Sequence, residues 1–344
     1  MLETSKFTSC YAGLGTTNMH RASSLAALAL LTATLLSGCT AESDPVLRLA
    51  FTQPDDALEP AKHPERLAEA IEAATGRQTE LYLVENTELA LQAVESGQAD
   101  AAFVDAGAGW FAWKRFGLEA VASSLESDGR PNYVASAWVL ASSSYESMED
   151  LRGADSCHTG LMKSAGTFMP LGWLVRNGLV EPVGPDEVTS IEPTLDAFFG
   201  TVRIPPSDSD PYGNYKGALR CLSEGKGAVA FGKDTTPTTF CRADAPDRPE
   251  WCLPPGQYRE LQQFGRVPGH PVMVGDIPTA KRDDLVRGLT GLSGTPEGQA
   301  VLQGVLGTKG VVAVDSSEAH LGDYAENIQH VPGMTTYVQG QVNK

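Results

Sequence analysis

The chain has 344 residues, with 43 acidic against 26 basic side chains and a formal net charge of −17 at pH 7. Such a balance argues against a basic surface for nucleic acid or anionic lipid and for a strongly solvated exterior. The length exceeds one comfortable core, so two domains of roughly 150 residues are expected.

Taken in order, the chain opens with Met19, His20 and Arg21, an apolar run over 24–36, and Leu36-Ser37-Gly38-Cys39. This is the anatomy of a signal peptide with a small-residue cleavage site, and the run is shorter than the roughly 20 residues a membrane span needs. The last four residues resemble a bacterial lipobox. The resemblance implies that residues 1–38 are removed, that Cys39 becomes the lipid-bearing N-terminus, and that 39–45 form a tether outside the cytoplasmic membrane, in the periplasm or at the cell surface. A strand is expected over 46–51, then a helix built on Leu67, Ala70, Ile71 and Ala74 and stopped by Gly76. Another strand follows over 79–84, Thr87 can cap the next helix, and Ala101-Ala102-Phe103-Val104 reads as a buried strand delivering Asp105 before an aromatic helix around Trp110. Alternating strands and helices imply an α/β fold. Two longer apolar segments, 133–141 and 267–275, read as strands that cross between domains. Residues 46–133 with 270–344 then form one discontinuous domain and 134–269 the other, which resembles the bilobed plan of a periplasmic binding protein. The segment 205–211, rich in Pro, Ser and Asp, reads as a surface loop.

Besides Cys10 and Cys39, four cysteines stand at 157, 221, 241 and 252. An even number in an exported chain reads as disulfides, and four cysteines admit three pairings. Cys157 with Cys221 and Cys241 with Cys252 is the preferred pairing, because a local loop around Asp247-Arg248-Pro249 can bring the latter two together. Zinc is the rival, but no C-x-x-C pair occurs.

The densest stretch is Ser156-Cys157-His158-Thr159-Gly160-Leu161-Met162-Lys163-Ser164-Ala165-Gly166. Ser164, Ala165 and Gly166 can open a helix whose first N–H groups lack intrahelical partners, and Thr159 and Lys163 add a hydroxyl and a cation, a cradle for a small oxyanion. It resembles the anion-binding turn of a transferrin lobe. Four further residues fall in local matches to that family's iron ligands. These are Asp105 in Ala99-Asp100-Ala101-Ala102-Phe103-Val104-Asp105, Tyr133 in Tyr133-Val134-Ala135-Ser136-Ala137, Tyr215 in Tyr215-Lys216-Gly217-Ala218-Leu219-Arg220-Cys221, and His270 in Arg266-Val267-Pro268-Gly269-His270. Ferric iron, a small hard cation, suits one carboxylate, two phenolates and one imidazole. The resemblance implies Fe3+ as cargo with carbonate or bicarbonate as a synergistic anion held by Thr159, Lys163, Ala165 and Gly166. Lys163 stands where the family usually has arginine, and Thr167 where it has tryptophan. The family's early cysteines are absent, so the close match covers mainly 99–275. Lys233 matches a family lysine implicated in acid-triggered release.

Each of these residues also has an ordinary reading. Asp105 can be a helix cap, the tyrosines core residues with bonded hydroxyls, and His270 a loop histidine. The early part of the chain is also similar to phosphate and phosphonate binding components of ABC importers, so a metal-free oxyanion-binding protein is the alternative. No G-x-S-x-G, H-E-x-x-H or P-loop occurs, and an enzyme is not expected. The expected protein is a monomer of bilobed transferrin-lobe fold, lipid-anchored, capturing iron for uptake with an ABC permease as its partner.

Overall fold

The computed structural model describes residues 45–52, 62–245 and 247–336. The expected signal peptide, Cys39 and residues 40–44 of the tether lie outside the described residues. In chain order the elements are β1 (Leu47–Thr52), α1 (Glu65–Thr75), β2 (Thr79–Val84), α2 (Thr87–Glu95), β3 (Ala101–Phe103), α3 (Ala106–Phe116) and β4 (Glu119–Ser124). There follow β5 (Asn132–Leu140), β6 (Ser156–Cys157), α4 (Met169–Arg176), α5 (Ile191–Asp196), β7 (Val202–Arg203), α6 (Asn214–Ser223), β8 (Val229–Lys233), α7 (Thr236–Cys241) and β9 (Tyr258–Pro268). The last are β10 (Pro271–Val274), α8 (Thr279–Leu292), α9 (Pro296–Leu306), β11 (Val311–Ala313) and α10 (Ser317–Ile328).

Two sheets result, a six-stranded one in the order β11-β4-β10-β3-β1-β2 and a five-stranded one in the order β7-β6-β8-β5-β9. In the first, β1 pairs in parallel with β2 and β3, while β10 runs antiparallel between β3 and β4. In the second, β6 pairs in parallel with β7 and β8, and β5 runs antiparallel to β8 and β9. This is the bilobed α/β architecture expected. One face of the first sheet buries Leu47 and Leu49 against Leu67, Ile71, Leu285, Leu289 and Leu302 from α1, α8 and α9. A second core runs without a break from Leu91 and Trp110 through Leu171 and Phe231 to Leu321 and Tyr324. The helix α10 packs on α3, α4 and β9.

Local signals account for most boundaries. Gly76 ends α1 in the left-handed conformation at φ 73°. The cap of α2, however, is Asn86, whose side chain accepts from Leu89 N–H at 3.0 Å, and Thr87 is the first helical residue. The crossings between sheets also differ in detail from the two strands expected. The first is the turn 125–131, after which β5 lies wholly in the second sheet. The second is Gly269-His270, which divides the apolar segment 267–275 into the end of β9 and the start of β10. Gly269 N–H still follows the β5–β9 register, donating to Pro131 O at 2.8 Å, whereas His270 N–H turns to Ser124 Oγ at 2.8 Å.

Both disulfides pair as preferred from sequence, Cys157 with Cys221 and Cys241 with Cys252. The first ties β6 to α6, and Gly227 lies flush against it, since a methyl there would meet Cys157 Sγ at 2.4 Å.

Candidate functional site

Strands deliver residues to a shared cavity at their carboxyl ends, the usual ligand position in open α/β sheets. The end of β3 leads into Asp105, the end of β6 into His158 and Thr159, and β8 ends at Lys233. Because β5 is antiparallel to β8, with Ala135 opposite Lys233, its start places Tyr133 at the same end. A cavity of about 310 Å³ has Asp105, Tyr133, Tyr215, His270, Lys163 and Ser164 in its walls. Four residues separated by up to 165 positions thus meet on one space.

Each is held by its own local structure. Asp105 is the N-cap of α3, its Oδ1 accepting from Ala108 N–H at 2.9 Å. Its capping and site-lining readings are compatible, because only one carboxylate oxygen is committed to the helix. His270 is pinned by its main chain, whose N–H donates to Ser124 Oγ at 2.8 Å and whose carbonyl accepts from Ser124 N–H at 3.0 Å. Its side chain is left exposed. Tyr133 is buried on β5, and Tyr215 opens α6. The Tyr215 hydroxyl donates to the Tyr133 hydroxyl at 3.4 Å. Burial pushes Tyr215 up to about 12 and also raises Tyr133 well above the usual phenol range. Among the described residues no group of three or more His, Cys, Asp or Glu side chains is arranged to hold a metal. A metal in this cavity depends on the phenols.

The oxyanion residues form a second layer. Ser164–Phe168 is a wide π-helical turn leading into α4, in which Thr167 and Phe168 N–H groups both reach Lys163 O. Lys163 and Ser164 line the cavity, whereas Thr159, Ala165 and Gly166 are buried and do not. Thr159 is 1% exposed and its Oγ1 has no hydrogen-bond partner. An orphaned buried hydroxyl is costly and marks a place where a ligand acceptor would be welcome. Gly166 must be glycine, since a methyl there would sit 1.8 Å from Thr159 Oγ1. Behind the turn, buried His158 bonds Gly166 O through Nδ1 at 2.7 Å and Ser156 Oγ through Nε2 at 3.0 Å. The carbonyl can only accept, so Nδ1 carries the proton, and burial pushes the imidazole down to about 4. Lys163 Nζ donates to Asp208 Oδ2 at 3.0 Å.

Sequence reasoning did not reach two neighbours, Glu126 and Tyr324. Lys233, singled out without a partner, is ion-paired with Glu126 from the first crossing. Its ammonium lies 4.0 Å from the Tyr133 ring centroid and 5.2 Å from that of Tyr215. Tyr324 of α10 also lines the cavity and shares a 3.1 Å hydrogen bond with Ser164 Oγ, and burial raises its pKa. A larger groove of about 1100 Å³ runs beside α8, β11 and the start of α10. Its walls include no phenol or imidazole, and its cations are already paired, Arg282 with Glu119 and Arg287 with Asp284. The smaller cavity therefore carries the chemistry.

Fold and cavity together define a two-lobed binding protein for a small ligand, and comparison with known proteins agrees. The family described as ABC transporter, phosphonate, periplasmic substrate-binding protein matches residues 58–319, and the chain belongs to that family. Ovotransferrin from Gallus gallus is 30% identical over 218 residues, which cover 54% of this chain and 30% of ovotransferrin. The chain thus spans under a third of that relative. Among solved structures, transferrin 1 from Manduca sexta aligns with a TM-score of 0.59 at 20% identity, covering 83% of this chain and 52% of that one. XAC2383 from Xanthomonas citri bound to ATP aligns with a TM-score of 0.52 at 15% identity, covering 87% and 100%. The fold is a transferrin-lobe-like version of the periplasmic-binding plan.

Proposed function

We propose that this protein binds one ferric ion together with a carbonate or bicarbonate anion between its two lobes, outside the cytoplasm. The observation that carries the reading is the meeting of buried Tyr133 and half-buried Tyr215, their hydroxyls 3.4 Å apart, with Asp105 and His270 in the wall of one cavity. Phenolate, carboxylate and imidazole form a donor set suited to a hard trivalent cation, and three anionic ligands balance its charge. The anion would complete the shell from Thr159, Lys163 and the free N–H groups at the start of the π-helical turn. Residues 46–133 with 270–344 and residues 134–269 act as the two lobes. Metal contacts from both stabilise the closed form more than the open one, which is what drives closure. Cys39 as lipid anchor, a monomeric state and delivery to an ABC permease complete the reading.

A metal-free oxyanion site is the second reading, favoured by the phosphonate-family match over 58–319. A visible absorption titration with ferric nitrilotriacetate, with and without bicarbonate, separates the two. The iron reading expects a tyrosinate-to-iron charge-transfer band that needs bicarbonate and weakens in Tyr133→Phe and Tyr215→Phe. No band under either condition, with inorganic phosphate binding in the presence of a chelator, would establish the second reading instead.

A further inference from the structure

We propose that Asp208 is an internal competitor for the oxyanion position, a built-in carboxylate that occupies Lys163 until an anion with more acceptor oxygens displaces it. The inference rests on the oxyanion half of the proposed function and holds for either reading of it.

The contact is direct, Lys163 Nζ donating to Asp208 Oδ2 at 3.0 Å. What makes it more than a chance surface pair is how the loop bearing Asp208 is wired. Asn214 donates from Nδ2 to Asp208 O at 3.0 Å, and its backbone N–H donates to Thr159 O at 3.1 Å. Gly213 lies so close that a methyl on it would meet Ser207 O at 2.3 Å and Asp208 O at 3.0 Å. The next residue after Asn214 is Tyr215. One loop therefore touches the main chain of Thr159, the side chain of Lys163 and the start of the helix bearing Tyr215.

The consequence is selectivity by number of acceptors. A lone carboxylate such as acetate gains little by replacing Asp208, because it exchanges one carboxylate for another on a single ammonium. An oxyanion with three or more oxygens would bond Lys163 and, once the turn admits it, the buried Thr159 hydroxyl and the turn N–H groups together, and Asp208 cannot imitate that. Lysine suits such exchange, since its ammonium is a point charge on a flexible stem and not a rigid fork. The pair is 46% and 61% exposed, so the competition is weak and reversible. Exposed pairs of this kind correspond to about two- to fivefold in an equilibrium constant.

The test uses the full chain as wild type, Asp208→Asn, Lys163→Gln and the double variant, with bicarbonate titrated against a fixed concentration of ferric nitrilotriacetate. Asp208→Asn should lower the bicarbonate needed for half the charge-transfer band by about two- to fivefold. It should also let acetate support the band better than in wild type, and both effects should vanish in the Lys163→Gln background. An unchanged or higher bicarbonate requirement in Asp208→Asn, or an effect that survives Lys163→Gln, would overturn the proposal. If wild type gives no band, the iron reading fails separately, and the same four proteins are titrated with inorganic phosphate by calorimetry without metal. Tighter phosphate binding in Asp208→Asn then supports the gate, and equal or absent binding overturns it.

Discussion

Tyr133 and Tyr215 reach a cation only by giving up protons that their surroundings make hard to remove. Burial is the first cause for both, taking Tyr215 up to about 12 and raising Tyr133 as well. On the proposed function the metal-binding species is the phenolate, so each ferric ion would displace two phenolic protons, and a third if the anion arrives as bicarbonate and stays as carbonate. The sign follows directly, with affinity falling as pH falls. From the phenols alone, log K should change by about two per pH unit over the range in which both are protonated in the free protein. Titrations in a pH series, with proton release followed on a pH-stat, check this, and Tyr215→Phe should reduce the slope by about one. For fold stability the same raised pKa values act at the alkaline end, where stability present below pH 10 is lost as pH rises through about 12. The four candidate ligands were legible because each stands in a recognisable motif and each has donor chemistry that suits one ion. Tyr324 was not, since Leu321, Tyr324, Ala325 and Ile328 form an ordinary buried helical stripe. Glu126 was not, since nothing in Leu125-Glu126-Ser127 announces a lysine 107 residues away.

Elements were legible wherever a local rule decided them. The run from β1 to α3 follows from periodicity and from Gly76, and each of its strands and helices falls close to where the residues place it. The start of α2 did not, because Asn86 and Thr87 are both competent caps and only the fold chooses between them. The wide turn Ser164–Phe168 was also hidden, because it exists to fit Gly166 against Thr159 and His158, contacts that no local pattern encodes. Elements around this turn depend on the Cys157–Cys221 bridge, which spans 64 residues, against 11 for Cys241–Cys252. By loop-closure entropy these correspond to roughly 4 and roughly 3 kcal/mol. Replacing both cysteines of a bridge by serine should cost about those amounts in urea unfolding. The two losses should differ in function as well. Cys157 immediately precedes His158 and Thr159, so its removal should raise the bicarbonate concentration needed for metal binding. Removal of Cys241 and Cys252, which share a core with Cys157, Cys221 and Tyr258 but adjoin no anion-turn residue in the chain, should raise it less.

At the scale of the whole molecule, the two crossings between sheets are not independent tethers. Gly269 of the second crossing donates to Pro131 O of the first at 2.8 Å, and Ser124 at the foot of the first bonds His270 through both its backbone N–H and its hydroxyl. His320 from α10 lies beside Gly269, and burial pushes its imidazole down to about 4, so it is neutral at pH 7. The two crossings and α10 therefore meet around one residue that has no side chain. A methyl on Gly269 would lie 2.2 Å from Ser124 O, 2.9 Å from Ser123 Oγ and 3.2 Å from Pro131 O. Main-chain atoms cannot swing aside as a flexible side chain does, so Gly269→Ala has to part the crossings. Overpacking of this kind costs about 1–3 kcal/mol. It also moves His270, the next residue, relative to Tyr133, which lies two residues beyond Pro131. The expected outcome is a lower urea midpoint together with weaker ferric binding. Small-angle scattering should then show less contraction on addition of iron and bicarbonate than in wild type. A variant that loses only stability, and contracts as wild type does, would mean that the lobes pivot elsewhere and that Gly269 serves packing alone.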